Sequence, residues 1–351
     1  MALTWKKIRR GIKYPILVFF IKIFILFIRL FPRKWVLRFT KRVGGLASLL
    51  IKSEREKTIN NLKYIYSDKS DEEIKRMARE VFQHQAMNFG DYVRTLHYKT
   101  PQQFSKIVDI EGEEHLKNAY EKGKGVLCLM SHTGSWEFSA ILPSVYGYET
   151  SALSRPLPNP RIDKLIVEAR QSRGMKNISR GDAYAKLLVA LSEGDCLIIM
   201  IDQDTAVPGV FIPFLGKTAY TPTGAARLAL DSGSEVVPIF IKRQKNNKHL
   251  LKILPALPTI NTGDVDKDVL ENTVIYSDTI ADFIKENPTQ WVWMHKRWKT
   301  TPDNIGESIE KRRIRRKRIA EREEALALLE EKREARKERR RKIFKIKKGN
   351  S

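Results

Sequence analysis

The sequence has few of the residues that build disulfides, metal centres or nucleotide sites. Among its 351 residues only Cys128 and Cys196 are cysteines, and each lies within an apolar run. Such thiols are typical of a hydrophobic core in a reducing compartment, so we expect neither a disulfide nor a cysteine metal site. A glycine-rich phosphate-binding loop and an internal repeat are also lacking. We therefore expect no metal and no bound cofactor.

Negative charge is scarce relative to positive charge. The chain has 65 Lys and Arg against 41 Asp and Glu, a formal net charge of +24, which predicts an anionic partner. Residues 311–351 hold 19 Lys or Arg against 7 Glu, a net +12. Their few apolar residues are too sparse for a core, so we expect an extended or helical tail outside the domain. A non-enzymatic protein that binds nucleic acid or membranes through this tail is one interpretation.

The second informative region is residues 14–31, which are almost wholly apolar. No small-residue cleavage site follows them, so a removed signal peptide is not expected. The two cations within the run, Lys22 and Arg29, are seven residues apart and share one helical face. That pattern favours a membrane anchor helix that either spans the bilayer or lies in its interface. A buried helix of a soluble core is the alternative.

Short apolar runs alternate with helical patterns along the rest of the chain. This alternation predicts an α/β fold with a central mixed, mostly parallel sheet flanked by helices. One such run, residues 125–130, reads as a buried strand and is followed by His132 and Glu137. Ligands usually bind at the carboxyl edge of such a sheet. A His there, with a carboxylate five residues on, suggests a base and its orienting partner.

The spacing of His132 and Glu137 argues against a zinc site. Residues i and i+5 lie about 140° apart on a helix, whereas two zinc ligands on one face would be four residues apart. A solvated loop His beside a Glu that complements the helix dipole is the competing interpretation.

Further polar residues stand at comparable positions. Asp202 and Asp204 follow the apolar run 196–201, and Arg170 and Arg173 are three residues apart on a predicted helix. They are candidates for substrate binding; ordinary turn residues and surface charges are the alternatives. The apolar residues 211–215 are expected to form an exposed loop that either lines an acyl groove or covers the core.

The block from His132 to Glu137 resembles the signature of glycerolipid-type acyltransferases. Further blocks extend the resemblance to the lipid A late acyltransferases, the lauroyl and myristoyl transferases of Gram-negative bacteria. These blocks are residues 155–174, 202–214, 221–240 and 288–299, and the resemblance covers roughly residues 5 to 302. Ser131 before the His departs from the pattern, and the tail after Asn304 has no counterpart in it.

The resemblance implies an enzyme that moves a fatty acyl chain from acyl carrier protein or acyl-coenzyme A to a hydroxyl of a lipid A precursor. His132 would be the general base and Glu137 would fix its tautomer. The acceptor would be an anionic glycolipid, held by the substrate-binding residues Arg155, Arg170, Arg173, Asp202 and Asp204. Asp202 and Asp204 could instead add a second partner to His132. A related phospholipid or glycolipid acyltransferase is the second candidate.

The resemblance also implies a location, and together with the apolar run and the basic tail it predicts a division into domains. We expect the cytoplasmic side of the inner membrane of a Gram-negative bacterium, and no nucleic-acid partner. Residues 1–35 would form the anchor, residues 36–304 an acyltransferase domain of the glycerolipid-acyltransferase type, and residues 305–351 the basic tail.

Overall fold

The computed structural model describes residues 23, 26, 28, 30–154, 159–179, 183–205 and 207–306. The chain divides into two compact units, Met1–Lys299 and Thr300–Ser351. The described part of the second unit contains a 3-10 turn at Pro302–Asn304. The description below concerns the first unit.

The elements follow one another as the sequence patterns predict, with helices before, between and after the strands. The helices are α1 (Arg33–Leu50), α2 (Lys52–Ile65), α3 (Asp71–Arg94), α4 (Pro101–Phe104), α5 (Glu113–Tyr120), α6 (Trp136–Val145), α7 (Pro160–Gln171), α8 (Ala183–Ser192), α9 (Gly224–Ser232) and α10 (Val265–Glu286). The strands are β1 (Val108–Glu111), β2 (Val126–Met130), β3 (Thr150–Ser154), β4 (Met175–Ser179), β5 (Cys196–Met200), β6 (Gly209–Phe214), β7 (Lys217–Pro222), β8 (Glu235–Arg243) and β9 (His249–Ile253). A 3-10 turn, Pro288–Gln290, follows α10.

A seven-stranded sheet in the order β1-β9-β8-β2-β5-β3-β4 organises the first unit. The strands β8, β2, β5, β3 and β4 run parallel to one another. The strand β9 is antiparallel to β8, and β1 is parallel to β9. The predicted α/β fold with a mixed, mostly parallel sheet and flanking helices is therefore confirmed.

The sheet separates two hydrophobic cores, because side chains alternate between its faces. On β2, Leu127 and Leu129 belong to one core, which includes residues of α3, α9 and α10. Val126, Cys128 and Met130 belong to the other core, which includes residues of α5 and α6. Every side chain of β2 is thus buried, as expected for a central strand covered on both faces. Both cysteines are buried and free, in agreement with their prediction as core thiols.

The long helix α3 begins at a Ser and a Glu three residues apart, a spacing typical of a helix start. The Ser70 side chain accepts a hydrogen bond from the backbone of Glu73, and the Glu73 side chain accepts one from the backbone of Ser70. This capping box satisfies two donors that the first turn would otherwise leave unpaired. The helix then runs for 24 residues to Arg94, and its buried face carries Asn88 and Asp91.

The expectation of an exposed loop at residues 211–215 is wrong, whereas the alternative that these residues cover the core is confirmed. They are part of an antiparallel hairpin of β6 and β7 rather than an exposed loop. Ile212, Phe214 and Leu215 are buried, and Phe214 packs against Trp291 with the ring centroids 5.7 Å apart. The segment therefore contributes to the core, because alternate residues of the strand point inward.

Among the described residues, no helix combines the length and the apolar composition needed to cross a bilayer. Of the predicted anchor, residues 14–31, only 23, 26, 28, 30 and 31 are described, and residues 307–351 of the predicted tail lie outside the described part. Both segments stay predictions.

Candidate active site

The register of two neighbouring strands brings His132 beside Asp202. Strands β2 and β5 are parallel, with Met130 paired to Met200, so both strands end at the same level. His132 and Asp202 each come two residues later, at the carboxyl edge of the sheet. The Nδ1 atom of His132 lies 2.8 Å from Oδ1 of Asp202, and the backbone N–H of His132 donates to Oδ2 at 2.7 Å.

The carboxylate of Asp202 is fully buried and accepts several hydrogen bonds. Besides the two contacts with His132, the indole Nε1 of Trp291 donates to Oδ2 at 2.8 Å. Burial alone would raise the pKa of Asp202, but the charge of His132 and these hydrogen bonds outweigh it and lower the pKa to about 2. Asp202 is therefore a fixed negative charge behind the imidazole.

This charge changes the basicity of His132. Burial lowers the pKa of His132, whereas the charge and hydrogen bond of Asp202 raise it; the net shift is upward. With Nδ1–H donating to the carboxylate, the neutral ring carries its lone pair on Nε2. The His132 side chain is 24% exposed while that of Asp202 is 0% exposed. A buried carboxylate and an oriented, partly exposed imidazole are features that a general base requires.

The structure corrects the predicted partner of His132. Glu137 lies in the first turn of α6, but its carboxylate pairs with Arg170 of α7, with Oε1–Nη2 and Oε2–Nε distances of 2.7 and 3.2 Å. The ring nitrogen of His132 instead faces Asp202, the residue that the sequence had suggested as an additional partner. The charge of Glu137 still contributes to the raised pKa of His132.

The structure also corrects the placement predicted for Arg173. Its guanidinium is buried and donates to the backbone carbonyls of Thr95 and Tyr98, at 2.7 and 3.2 Å. It also lies 5.5 Å from the ring centroid of Tyr92. Helix α7 ends at Gln171, so Arg173 does not continue the helical face of Arg170. Arg173 thus holds the segment that follows α3, and a role in acceptor binding stays a prediction.

The other predicted site residues lie at the same sheet edge or outside the described part. Asp204 is partly exposed, two residues after Asp202. The backbone of Asp204 hydrogen-bonds the His295 ring, although burial, the larger effect, lowers the pKa of His295. Arg155 lies outside the described residues.

The loop after β2 is held by residues that the sequence did not single out. Gly134 has a φ of 57°, and a Cβ at this position would lie 2.2 Å from the carbonyl oxygen of Ile241. The backbone N–H of Gly134 donates to the carbonyl of Gln290 at 2.9 Å, and its own carbonyl accepts from Asn88 Nδ2 at 2.8 Å. The loop that carries His132 is thus fixed by β8, α3 and the turn before Trp291.

Behind this loop lies a buried charge cluster centred on Asp91. Its carboxylate contacts Arg33 at 2.7 and 2.8 Å, Arg243 at 2.7 Å and His249 at 3.0 Å. Burial would raise the pKa of Asp91, but these partners hold it well below its ordinary value. Arg243 also donates to Asn88 at 2.8 Å, which links the cluster to the loop.

Trp291 and Asn88 were missed as functional residues for different reasons. Trp291 lies in residues 288–299, a block that resembles the family, but the resemblance implies no role for its indole. Asn88 lies in a helical run with no local signal. In the described part of the chain, no group of three or more His, Cys, Asp or Glu side chains could hold a metal ion.

The comparisons with known proteins identify the family of the chain. A family model described as "Bacterial lipid A biosynthesis acyltransferase" matches residues 5–300. The chain is 23% identical to a lipid A biosynthesis acyltransferase of Haemophilus influenzae, over 80% of this chain and 86% of the relative. It is 25% identical to the lipid A biosynthesis lauroyltransferase of Escherichia coli, over 75% and 85%. It is also 25% identical to a phosphatidylinositol mannoside acyltransferase of Mycolicibacterium smegmatis, over 64% and 69%. The match over nearly the whole first unit means that the chain is an acyltransferase and belongs to the bacterial lipid A biosynthesis acyltransferase family.

Proposed function

We propose that the enzyme transfers a fatty acyl chain from the thioester of acyl carrier protein, or of coenzyme A, to a hydroxyl of a lipid A precursor. The observation that supports this proposal most directly is the pairing of His132 with the buried Asp202 at the carboxyl edge of the sheet. The coarser activity, acyl transfer to a lipid acceptor, follows from the family, and it sets aside the interpretation of the chain as a non-enzymatic basic protein.

In the proposed mechanism, Nε2 of His132 takes the proton of the acceptor hydroxyl as its oxygen attacks the thioester carbonyl. The carbon–sulfur bond then breaks, and the imidazolium returns the proton to the leaving thiolate. Asp202 holds the ring through Nδ1 and stabilises the imidazolium, the role of the carboxylate in a Ser-His-Asp triad. Trp291 and the backbone of His132 keep that carboxylate in place.

Glu137 and Arg170 are proposed to act as a pair beside this base. The negative charge of Glu137 favours the imidazolium form of His132. A guanidinium carries five N–H donors, and the pair with Glu137 uses two of them. Arg170 can therefore bind a phosphate of an anionic acceptor while Glu137 keeps it oriented. Arg155 and Asp204 remain candidates for acceptor binding.

The net charge of +24 favours anionic partners for the enzyme. Acyl carrier protein is acidic and lipid A precursors are anionic, so one basic surface would serve both. The predicted anchor, residues 14–31, and the predicted basic tail would hold the enzyme at the cytoplasmic face of the inner membrane of a Gram-negative bacterium, where thioester donors occur.

A related glycolipid acceptor is the second candidate. Identity to the mycobacterial phosphatidylinositol mannoside acyltransferase equals identity to the lauroyltransferase, at 25%. Coverage favours the lipid A acceptor, since the match spans 85% of the lauroyltransferase but 69% of the mannoside enzyme.

One experiment tests the proposed activity directly. Purified enzyme is given acyl carrier protein or coenzyme A carrying the same acyl chain, with either a lipid A precursor or phosphatidylinositol mannoside as acceptor. We expect transfer to the lipid A precursor, and a decrease of at least about a hundredfold in the well-folded His132→Ala variant. Transfer to the mannoside alone would replace the first candidate by the second. Near wild-type transfer by His132→Ala would refute the base assignment.

A further inference from the structure

Helix α1 presents a row of large apolar side chains to solvent. Trp35, Val43, Leu46 and Leu50 are 42–70% exposed. At about 100° per residue these four positions fall within roughly 80° of the helix circumference. A contiguous apolar row of this size is unusual on a soluble surface and marks an interaction site.

Cations accompany this row along the same helix. Lys34, Arg38, Lys41 and Arg42 are exposed, and at about 100° per residue they lie along one edge of the apolar row. Helix α1 contains no Asp or Glu. An apolar face edged by Lys and Arg is the pattern of helices that lie in the headgroup region of an anionic bilayer.

The opposite face of α1 is committed to packing on α3, so the apolar row cannot turn inward. A Cβ at Gly44 would lie 2.5 Å from the carbonyl oxygen of Phe82, which shows how closely the two backbones approach. The salt bridge between Arg33 and Asp91, at 2.7 Å, fixes the start of the helix. The row is therefore a permanent surface of the folded unit.

We propose that α1 is a membrane-docking surface that inserts this apolar row among the headgroups of an anionic phospholipid bilayer. Charge complementarity selects this occupant. A second copy of the chain would bring like-charged rows together, which is destabilising. The chain's own residues 1–22 carry Lys6, Lys7, Arg9, Arg10, Lys13 and Lys22 and no acidic residue, so they would be repelled likewise.

Helix α3 connects α1 with the candidate active site. Thr40 of α1 packs against Gly90 of α3, where a Cβ would lie 2.8 Å from the Thr40 methyl group. Two residues away on α3, Asn88 donates to the carbonyl of Gly134 in the His132 loop. Helices α1 and α3, each about 10 Å across, thus lie between the docking surface and the loop.

Membrane docking by α1 goes beyond the proposed function, and its test does not measure turnover. The docking proposal and the proposed function can therefore fail separately. Full-length Leu46→Cys enzyme is labelled with an environment-sensitive fluorophore; Cys128 and Cys196 are buried and stay unlabelled in the folded protein. Leu50→Cys is the second variant, since both side chains are more than half exposed. Val265→Cys, on the exposed side of α10, is the matched control, because Val265 is 58% exposed.

Vesicles of phosphatidylethanolamine and phosphatidylglycerol are then added, with phosphatidylcholine vesicles for comparison. We expect a blue-shifted emission at positions 46 and 50 with the anionic vesicles, an affinity at least roughly tenfold weaker for phosphatidylcholine, and no change at position 265. The proposal would be overturned if the fluorophore at position 46 kept its emission in water while the protein was bound to vesicles. It would also be overturned by a label already shielded before vesicles are added, an equal response at position 265, or equal affinity for both vesicles.

Discussion

The buried carboxylate of Asp202 contacts both Nδ1 of His132, at 2.8 Å, and the backbone N–H of the same residue, at 2.7 Å. One acidic side chain therefore fixes the position of the loop and the orientation of the ring. This double contact would hold the proposed base accurately at the end of a strand, where loops are usually mobile. The following predictions test its parts.

Trp291 is predicted to support catalysis through Asp202. In Trp291→Phe the donor to Oδ2 is lost while a smaller aromatic ring fills most of the site, so stability should fall by about 1–3 kcal/mol and turnover by roughly tenfold. The control is Trp293→Phe, which loses a donor to the carbonyl of Pro288 instead. Thermal unfolding and steady-state rates should show that both variants lose stability but only Trp291→Phe loses turnover. Equal turnover losses would contradict the link to Asp202.

Glu137 and Arg170 are predicted to act as one unit. Because both side chains are less than a quarter exposed, removing one partner leaves the other poorly compensated. Glu137→Gln and Arg170→Gln should each lower turnover, and the double variant should be less impaired than the product of the two effects. A double-mutant cycle on turnover and on unfolding measures this coupling. Strict additivity would mean that the two residues act separately.

Gly134 is predicted not to tolerate substitution by another residue. In Gly134→Ala the new Cβ would collide with the carbonyl of Ile241 and would also strain a positive φ. Turnover should fall at least about a hundredfold, because the His132 loop must shift. Gly123→Ala separates the two effects, since Gly123 has a φ of 68° but no atom within 4 Å of the added Cβ. If both variants keep comparable activity, the close approach to Ile241 is not needed.

Stability is predicted to fall as the solution becomes acidic, partly through His249. Burial, followed by the charge of Arg243, lowers the pKa of His249 to about 4. In the unfolded chain, His249 binds a proton near pH 6.5. The free energy of unfolding therefore decreases as pH falls from about 6.5 towards 4, by at most about 1.4 kcal/mol per pH unit for one group. Unfolding midpoints of His249→Gln should depend less on pH in this window than those of the surface control His115→Gln. An unchanged slope would contradict this.

Much of the fold could be predicted from local sequence. The alternation of apolar runs and helical patterns gave the α/β architecture, and the capping residues Ser70 and Glu73 marked the start of α3. The hairpin of β6 and β7 was missed because residues 211–215 look like an apolar loop, and only pairing with Lys217–Pro222 shows which side chains point inward.

The sequence predicts the position of the site at the carboxyl edge of the sheet, but it does not predict that His132 pairs with Asp202. His132 and Asp202 were both recognised as strand-end residues, yet the nearer carboxylate, Glu137, was chosen as the partner. The register of β2 and β5 decides this choice, and register between residues 70 positions apart leaves no local signal. Arg173 was grouped with Arg170 by helical spacing, but the helix ends between them. The partnership of Glu137 with Arg170 likewise depends on where α7 packs.

The pH dependence of turnover in Asp202→Asn tests the central claim most directly. Wild-type activity should rise as His132 loses its proton, at a pKa that the Asp202 carboxylate holds above the ordinary value. Removing that charge should move the acid limb of kcat/KM to lower pH and lower the maximal rate at least about a hundredfold. Asp195→Asn, at the start of β5, removes another buried carboxylate and should leave the limb in place. An Asp202→Asn enzyme with near wild-type turnover and an unmoved acid limb would contradict the account.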